Sequence, residues 1–174
     1  MTTPERPSGL TPDCDSCAAL CCIILAFDKG EAFAIDKPAG LPCPHLDGHA
    51  CSIHASLTDA GFPGCARYDC FGAGQIVTRD IFAGASWQDQ PDLAMPMAEA
   101  FRLLREVQDM RAQLQIALDR FAPDEALRAR IEALDRQLAP EWSAETLAAF
   151  DPAAARAAFQ DILSALRNAK GAPA

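Results

Sequence analysis

Apolar residues recur at three- and four-residue steps through the C-terminal half of the chain, which is the period of an amphipathic helix. Three such stripes are present, over residues 97–121, 127–138 and 155–166. The residues between the apolar positions are mostly Ala, Arg, Glu and Gln, which favour helices. Because short, wide stripes of this kind usually pack against one another, the pattern predicts a helical hairpin or a three-helix bundle.

Residues with capping preferences lie at the ends of these stripes. Pro123, followed by two acidic residues, is a start signal for the second helix. Asp151-Pro152 supplies an N-cap and a first-turn proline for the third helix, which we expect to end near Gly171. Ser143 is a candidate cap for a short helix between them.

Residues 13–80 have no helical period, but they hold every Cys, every His and seven of the ten glycines of the chain. We predict a flexible arm over residues 1–12, a Cys-rich metal-binding domain over 13–80, a connector over 81–96 and a helical domain over 97–170. The predicted fold is α-rich. A small, irregular, metal-stabilised domain with one short helix is followed by the helical hairpin or three-helix bundle.

Charge and hydropathy exclude several functions. The chain of 174 residues has 24 acidic and 15 basic residues and a net charge of −9, so it lacks the basic surface that nucleic-acid binding requires. The longest apolar run, residues 21–27, is far too short to span a bilayer, and the first residues lack the apolar core of an export signal. The sequence therefore predicts a cytoplasmic protein that binds neither nucleic acid nor membrane.

Cys14, Cys17, Cys21 and Cys22 form the motif C-x2-C-x3-C-C. If Asp13 caps a helix here, the first three sulfurs share one helix face, and Cys22 is turned about 100° from Cys21. Thiolates on one face repel each other unless a cation neutralises them. We therefore predict that these cysteines bind a metal ion.

Cys43, Cys51, Cys65 and Cys70 follow in turns rich in Gly and Pro. Eight sulfurs exceed one tetrahedral site, so either two four-ligand sites exist or one site uses four sulfurs while the others pack, pair or react. His54, three residues after Cys51, is a further candidate ligand. Zinc and iron both fit, and an iron–sulfur cluster stays open although neither common cluster spacing is present. A reducing cytosol argues against a disulfide framework.

The order and local context of these cysteines resemble a known family. C-x2-C-x3-C-C at 14–22, Pro42-Cys43, Cys51-x-Ile-His54, Pro63-x-Cys65 and Cys70 are similar to the bacterial zinc- or iron-chelating domains of the YkgJ-like CxxCxxxCC group. The likeness covers about residues 13–75, and His54 stands where the family usually has an aromatic residue. Residues 33–43 and 61–75 also resemble the Cys-rich N-terminal segment of some pentapeptide-repeat proteins, although no such repeat follows here. The resemblance implies metal chelation by the cysteines and no particular reaction.

The sequence thus predicts a cysteine-rich zinc- or iron-binding protein in which the metal is at least structural. Two alternatives come from other classes. One is an iron–sulfur-bearing redox or enzyme component, and the other is a metal-folded adaptor that binds a protein partner through its C-terminal helices. Whether the protein is an enzyme stays open at this point.

Overall fold

The computed structural model describes residues 9–171, and it shows the Cys-rich segment as short helical turns joined by loops. The α-helices of this segment are α1 (Leu20–Ile24), α2 (Pro63–Arg67) and α3 (Ala73–Gln75). A π-helix, Ile76–Ile81, continues α3, and 3-10 turns cover Cys14–Ser16 and His54–Ser56. Two short antiparallel strands, β1 (Leu46–Asp47) and β2 (Ala50–Cys51), pair Leu46 with Cys51. The segment has more regular structure than the one short helix that was predicted.

The N-terminal cysteine motif is not one regular helix, so the prediction that Cys14, Cys17 and Cys21 share a helix face is wrong. The 3-10 turn ends at Cys17, whose backbone is extended, and Ala19 is left-handed with φ 54°. The physical reason is tertiary. The Ala18 amide donates to Thr78 Oγ1 at 2.9 Å instead of to a carbonyl one helical turn earlier. The break also turns the apolar residues of α1 into the core.

The chain from residue 94 is helical, as the apolar stripes predict. Its helices are α4 (Ala94–Phe121), α5 (Glu125–Gln137), α6 (Ala144–Ala149) and α7 (Pro152–Gly171). A 3-10 turn, Pro91–Leu93, leads into α4, which starts three residues before the predicted position. Pro96 lies in the first turn of α4, where the amide N–H has no partner within the helix, so the proline does not prevent this earlier start.

The predicted caps Ser143 and Asp151 are confirmed, and Asp124, which follows the predicted start signal Pro123, caps α5. Asp124 accepts a hydrogen bond from Leu127 N at 2.8 Å at the start of α5. Ser143 and Thr146 form a capping box at the start of α6. The Asp151 carboxylate accepts from the two amides after Pro152, at 2.9 and 3.0 Å. Each cap satisfies amides that have no partner inside the helix, which is why the helix starts could be located from sequence.

Two hydrophobic clusters share α4. In the first, the N-terminal half of α4 packs with α1, α3 and the π-helix; in the second, its C-terminal half packs with α5 and α7. Phe101 and Leu114 are buried representatives of the two clusters. The connector also joins the Cys-rich segment, because Trp87 Nε1 donates to Ala18 O at 2.7 Å. One long helix therefore supports both the Cys-rich segment and the helical bundle.

The fold is α-rich, as predicted, and the second cluster brings together the helices that carry the three apolar stripes. In the described part of the chain, no helix is long and apolar enough to cross a membrane. Residues 1–8 of the predicted arm lie outside the described residues. The end of the arm is packed, since Leu10 is buried and Gly9 O accepts a hydrogen bond from Gln108 Nε2 at 2.7 Å.

Candidate metal centre

All eight cysteines lie in the described part of the chain, and all are free thiols there. Cys14 is exposed, and the other seven are half-buried. They are brought together from four separate stretches: the N-terminal motif, the β-hairpin region, α2 and the residues just before α3. The fold therefore makes neighbours of thiols as far apart in sequence as Cys14 and Cys70, since the charge of Cys70 acts on Cys14.

The segment that carries Cys14 and Cys17 is bonded to the segment that follows Cys70. Two backbone amides of the first segment donate to side chains of the second at 2.9 Å: Asp13 N to Gln75 Oε1, and Ala18 N to Thr78 Oγ1. Cys17 N also donates to Cys14 O at 3.2 Å, and Ala73 N donates to Cys70 O at 3.0 Å. These bonds hold a first set of cysteines, Cys14, Cys17 and Cys70, at one end of the Cys-rich segment.

Gly74 allows the close approach of the two segments. A Cβ atom at Gly74 would lie 2.5 Å from Cys17 Sγ, closer than real atoms come. Any side chain here would push the thiol away. Gly72 is a turn glycine, with φ 82°, whereas Gly74 lies inside α3 and is required for packing against Cys17.

Other backbone bonds join a second set of cysteines, Cys22, Cys43 and Cys51. Cys43 N donates to Cys22 O at 2.9 Å, and Leu46 N donates to Cys43 O at 3.0 Å. Leu46 then pairs with Cys51 across the β-hairpin. These three cysteines, which come from three parts of the sequence, are thus linked by a continuous chain of short contacts.

Aromatic packing places α2, which carries Cys65, beside the same hairpin. Phe62 packs edge-on against His45, with ring centroids 5.0 Å apart, and against Phe27 at 6.3 Å. Gly64 N donates to Ala32 O at 2.9 Å. Cys65 therefore lies on the hairpin side of the segment, near Cys43 and Cys51.

Lys37 is a buried cation among the thiols of this second set. Its side chain is 4% exposed, and Nζ donates to the carbonyls of Ile23, Leu25 and Pro38 at 3.2, 2.6 and 3.3 Å. Burial lowers the pKa of Lys37, whereas nearby thiolate charges, that of Cys43 above all, oppose this effect. The sequence analysis did not identify Lys37, because one lysine in a loop carries no local signal of burial.

Burial and mutual repulsion disfavour the charged form of most of these thiols. The pKa of Cys14 and of Cys17 is raised, first by burial, and the charge of Cys70 contributes to both. Burial likewise raises the pKa of Cys51 and of Cys65, and the charges of Cys22 and Cys43 add to it. Several thiolates are stable together in this segment only if positive charge is supplied.

The adjacent pair Cys21 and Cys22 behaves differently. A hydrogen bond from the Cys21 thiol to the Cys22 sulfur is the largest cause that lowers the pKa of Cys22, to about 7, and Lys37 lowers it further. The same hydrogen bond raises the pKa of Cys21. In the metal-free protein, the first thiolate of this pair therefore forms on Cys22.

This difference predicts the order of thiol alkylation in reduced, metal-free protein. Cys22 should react with iodoacetamide along a pH profile with its midpoint near 7, because only the thiolate is nucleophilic. Cys14, although exposed, should react appreciably only at higher pH, since its pKa is raised. Short labelling pulses followed by tandem mass spectrometry give the profile of each site. Faster labelling of Cys14 at pH 7 would show that exposure, and not charge, controls reactivity.

Tyr68 and Arg105 provide unsatisfied polar atoms near the first set of cysteines. Tyr68 Oη and Arg105 Nε are both buried and have no hydrogen-bond partner within residues 9–171. The guanidinium lies over the Tyr68 ring at 5.7 Å. Burial is the largest cause that raises the pKa of Tyr68, and the charges of Cys21 and Cys70 add to it. Buried polar atoms are normally bonded, so Tyr68 Oη and Arg105 Nε are the polar atoms available to a group held beside these cysteines.

The cysteines are neighbours, but their donor atoms are not gathered at one point. Within the described residues, no three side chains of the types His, Cys, Asp or Glu form a group that could hold a metal ion. His54, the predicted mixed ligand, is exposed at the start of its 3-10 turn. Of the other histidines, His49 bonds to Ser86 Oγ at 2.9 Å and His45 packs on Phe62.

One relative shares part of this chain. A stretch of 110 residues, 63% of the chain, is 40% identical to the uncharacterized protein YybG of Bacillus subtilis (strain 168). The match spans 39% of the length of that protein, and its name states no activity. No family model and no solved structure matches the chain. The function is therefore argued from the residues of this chain.

Proposed function

We propose that this protein binds zinc or iron through its cysteine thiolates and that the metal is at least structural. The observation that carries the proposal is the concentration of eight free thiols within residues 14–70, where burial and mutual repulsion raise most of their pKa values. A divalent cation offsets both effects, because it displaces the thiol protons and neutralises the thiolates. The resemblance to the CxxCxxxCC chelating domains supports the same activity.

The weak apolar core of the segment supports a structural role for the metal. Between Leu25 and Gly61, all of which is described, no hydrophobic residue is fully buried. A stretch of this length cannot fold on so little apolar burial, and small domains of this kind commonly depend on disulfides or metals. Since the cysteines are free, metal ligation is the stabilising interaction that fits.

We expect protein purified with reductant and without oxygen to carry bound zinc or iron, measured by elemental analysis. Zinc gives colourless protein, whereas an iron–sulfur cluster gives brown protein, so colour separates the structural proposal from the redox alternative. Protein whose thiols have been alkylated is the matched control and should hold no metal. Metal-free protein, either with free thiols or with four disulfides, would contradict the proposal.

A further inference from the structure

We propose that the eight cysteines form two adjacent four-thiolate metal sites and that the chain crosses from one to the other between Cys21 and Cys22. The first site consists of Cys14, Cys17, Cys21 and Cys70, and the second consists of Cys22, Cys43, Cys51 and Cys65. The inference rests on the proposed metal binding and adds the division of ligands, which the sequence leaves open.

The first site follows from the docking of two segments. Side-chain hydrogen bonds tie the residues around Cys14 and Cys17 to the residues after Cys70. Cys17 Sγ packs directly over Gly74 in α3, four residues beyond Cys70. Cys21, at the start of α1, packs against the same hydrophobic cluster as Cys17 and Cys70. Cys17, Cys21 and Cys70 therefore pack against one cluster, and the backbone bond from Cys17 N to Cys14 O keeps Cys14 beside Cys17.

The second site follows from a separate set of contacts. The backbone bond from Cys43 to Cys22 and the pairing of Leu46 with Cys51 place three thiols around the β-hairpin. Aromatic contacts of Phe62 bring α2, and with it Cys65, to the same place. Apart from α1, which carries both Cys21 and Cys22, none of these contacts involves the segments that build the first site.

The geometry of α1 explains why the boundary falls within a pair of adjacent residues. Successive residues of an α-helix are about 100° apart around its axis, so Cys21 and Cys22 leave α1 on different sides, and the hydrogen bond between their thiols keeps the two sulfurs adjacent at the boundary between the sites. Cys21 packs on the hydrophobic cluster that includes α3 and α4. Cys22 is the residue whose carbonyl holds Cys43. One short helix thus supplies one ligand to each site.

Each group of thiols also has a cationic neighbour, which is buried beside the second group and half-buried beside the first. Lys37 Nζ is held by carbonyls at the end of α1, among the thiols of the second group. Arg105 lies beside Tyr68 next to the first group. A divalent ion with four thiolates keeps a net negative charge, which a nearby cation and a hydrogen-bond donor stabilise. Tyr68 Oη has no partner among the described residues and is the donor available to the first site.

Metal binding would complete both sites. The donors of each group lie on separate elements, and among the described residues no three of them form a group that could hold an ion. A preformed site rarely exists in an unfolded chain, so binding of the ion is coupled to folding. The proposal therefore requires each group to close around an ion independently of the other.

The test uses the full chain, reduced, loaded with Zn²⁺ without oxygen and freed of excess metal, with bound zinc measured per chain. Wild type should hold two ions, and Cys17→Ser or Cys65→Ser should each hold one. The decisive comparison is between double variants. Cys17→Ser/Cys70→Ser removes two ligands of one site and should still hold one ion, whereas Cys17→Ser/Cys65→Ser damages both sites and should hold none.

The outcomes separate this inference from the proposed function. If wild type holds no zinc, the metal-binding proposal fails. If wild type holds one ion, metal binding stands and the division is wrong. The same conclusion follows if Cys17→Ser/Cys70→Ser loses both ions while Cys17→Ser/Cys65→Ser keeps one. A measurement without variants guards against misfolding. Within each wild-type molecule that carries a single zinc ion, the thiols protected from alkylation should all belong to one group, and molecules whose protected thiols come from both groups would overturn the division.

Tyr68→Phe removes the hydroxyl that we propose as a hydrogen-bond donor to the first site and keeps the ring. We expect this variant to hold both ions, but one of them should be about 10-fold more weakly bound in competition with a chelator, the lower end of the usual effect of a second-sphere hydrogen bond. Phe27→Leu, which alters a ring on the side of the second group, is the matched control and should leave the affinity of the first site unchanged. Unchanged affinity in Tyr68→Phe would remove the hydroxyl from the site.

Discussion

Removing the metal with a strong chelator and reductant should unfold the Cys-rich segment and leave α5 and α7 folded. Metal binding to small structural zinc domains supplies roughly 10 to 16 kcal/mol of apparent free energy at neutral pH. The stretch between Leu25 and Gly61 has no fully buried hydrophobic residue to replace that contribution. The second hydrophobic cluster, in contrast, contains no cysteine.

The expected boundary of unfolding lies inside α4. Its N-terminal half packs on α1, α3 and the π-helix, so Met97, Phe101 and Leu104 should lose part of their support when the Cys-rich segment unfolds. Its C-terminal half is held by α5 and α7. Hydrogen exchange followed by mass spectrometry measures the boundary, and far-ultraviolet circular dichroism should retain most of its helical signal.

The control for this experiment is the same chelator already saturated with zinc, which should change nothing. Complete loss of the helical signal on chelation would show that the two clusters unfold together through the shared α4. Exchange that is unchanged everywhere would show that the metal does not stabilise the fold, and the structural part of the proposed function would be wrong.

The helices were predictable because their signals are local. The apolar stripes repeat within each helix, and the caps at Asp124, Ser143 and Asp151 act within three residues of themselves. Periodicity reports only that a face is buried. It did not show that α4 divides its apolar stripe between two clusters, because the partners of that stripe come from distant parts of the chain.

The Cys-rich segment was less predictable because long-range contacts determine it. A helix through Cys14 and Cys21 is locally reasonable, but Thr78 takes the Ala18 amide and Ala19 adopts a left-handed conformation. Propensity alone would not place alanine there. Tertiary hydrogen bonds and burial of α1 decide the backbone at this point.

The residues around the thiols show the same limit. Cysteine spacing identified the candidate ligands, but it contained nothing about which thiols are neighbours. Lys37 and Arg105 look like ordinary surface cations in the sequence, and Tyr68 looks like an ordinary loop residue. Lys37 is buried, and Tyr68 and Arg105 each have a buried polar atom, because contacts from distant parts of the chain cover them.

Phe101→Ala and Leu114→Ala should separate the two clusters energetically. Both side chains are buried, at 2% and 0% exposure, and both lie on α4. Truncating a buried Phe costs about 3 to 5 kcal/mol and truncating a buried Leu costs about 2 to 5 kcal/mol, because a cavity adds to the lost apolar burial. Urea unfolding of the metal-loaded variants measures both losses. Glu99→Ala, at an exposed position of the same helix, is the control and should change stability by less than about 0.5 kcal/mol.

Phe101→Ala and Leu114→Ala should differ in their affinity for the metal. The Phe101 ring lies 3.9 Å from the position of a Cβ at Gly74, directly behind the packing of Cys17 on α3. Its removal should loosen that contact and release metal at a lower chelator concentration than in wild type. Leu114 contacts only the second cluster, so Leu114→Ala should destabilise the bundle without changing metal retention. Equal metal retention in both variants would show that the first cluster does not position the thiols, since the two substitutions are otherwise matched in helix and in burial.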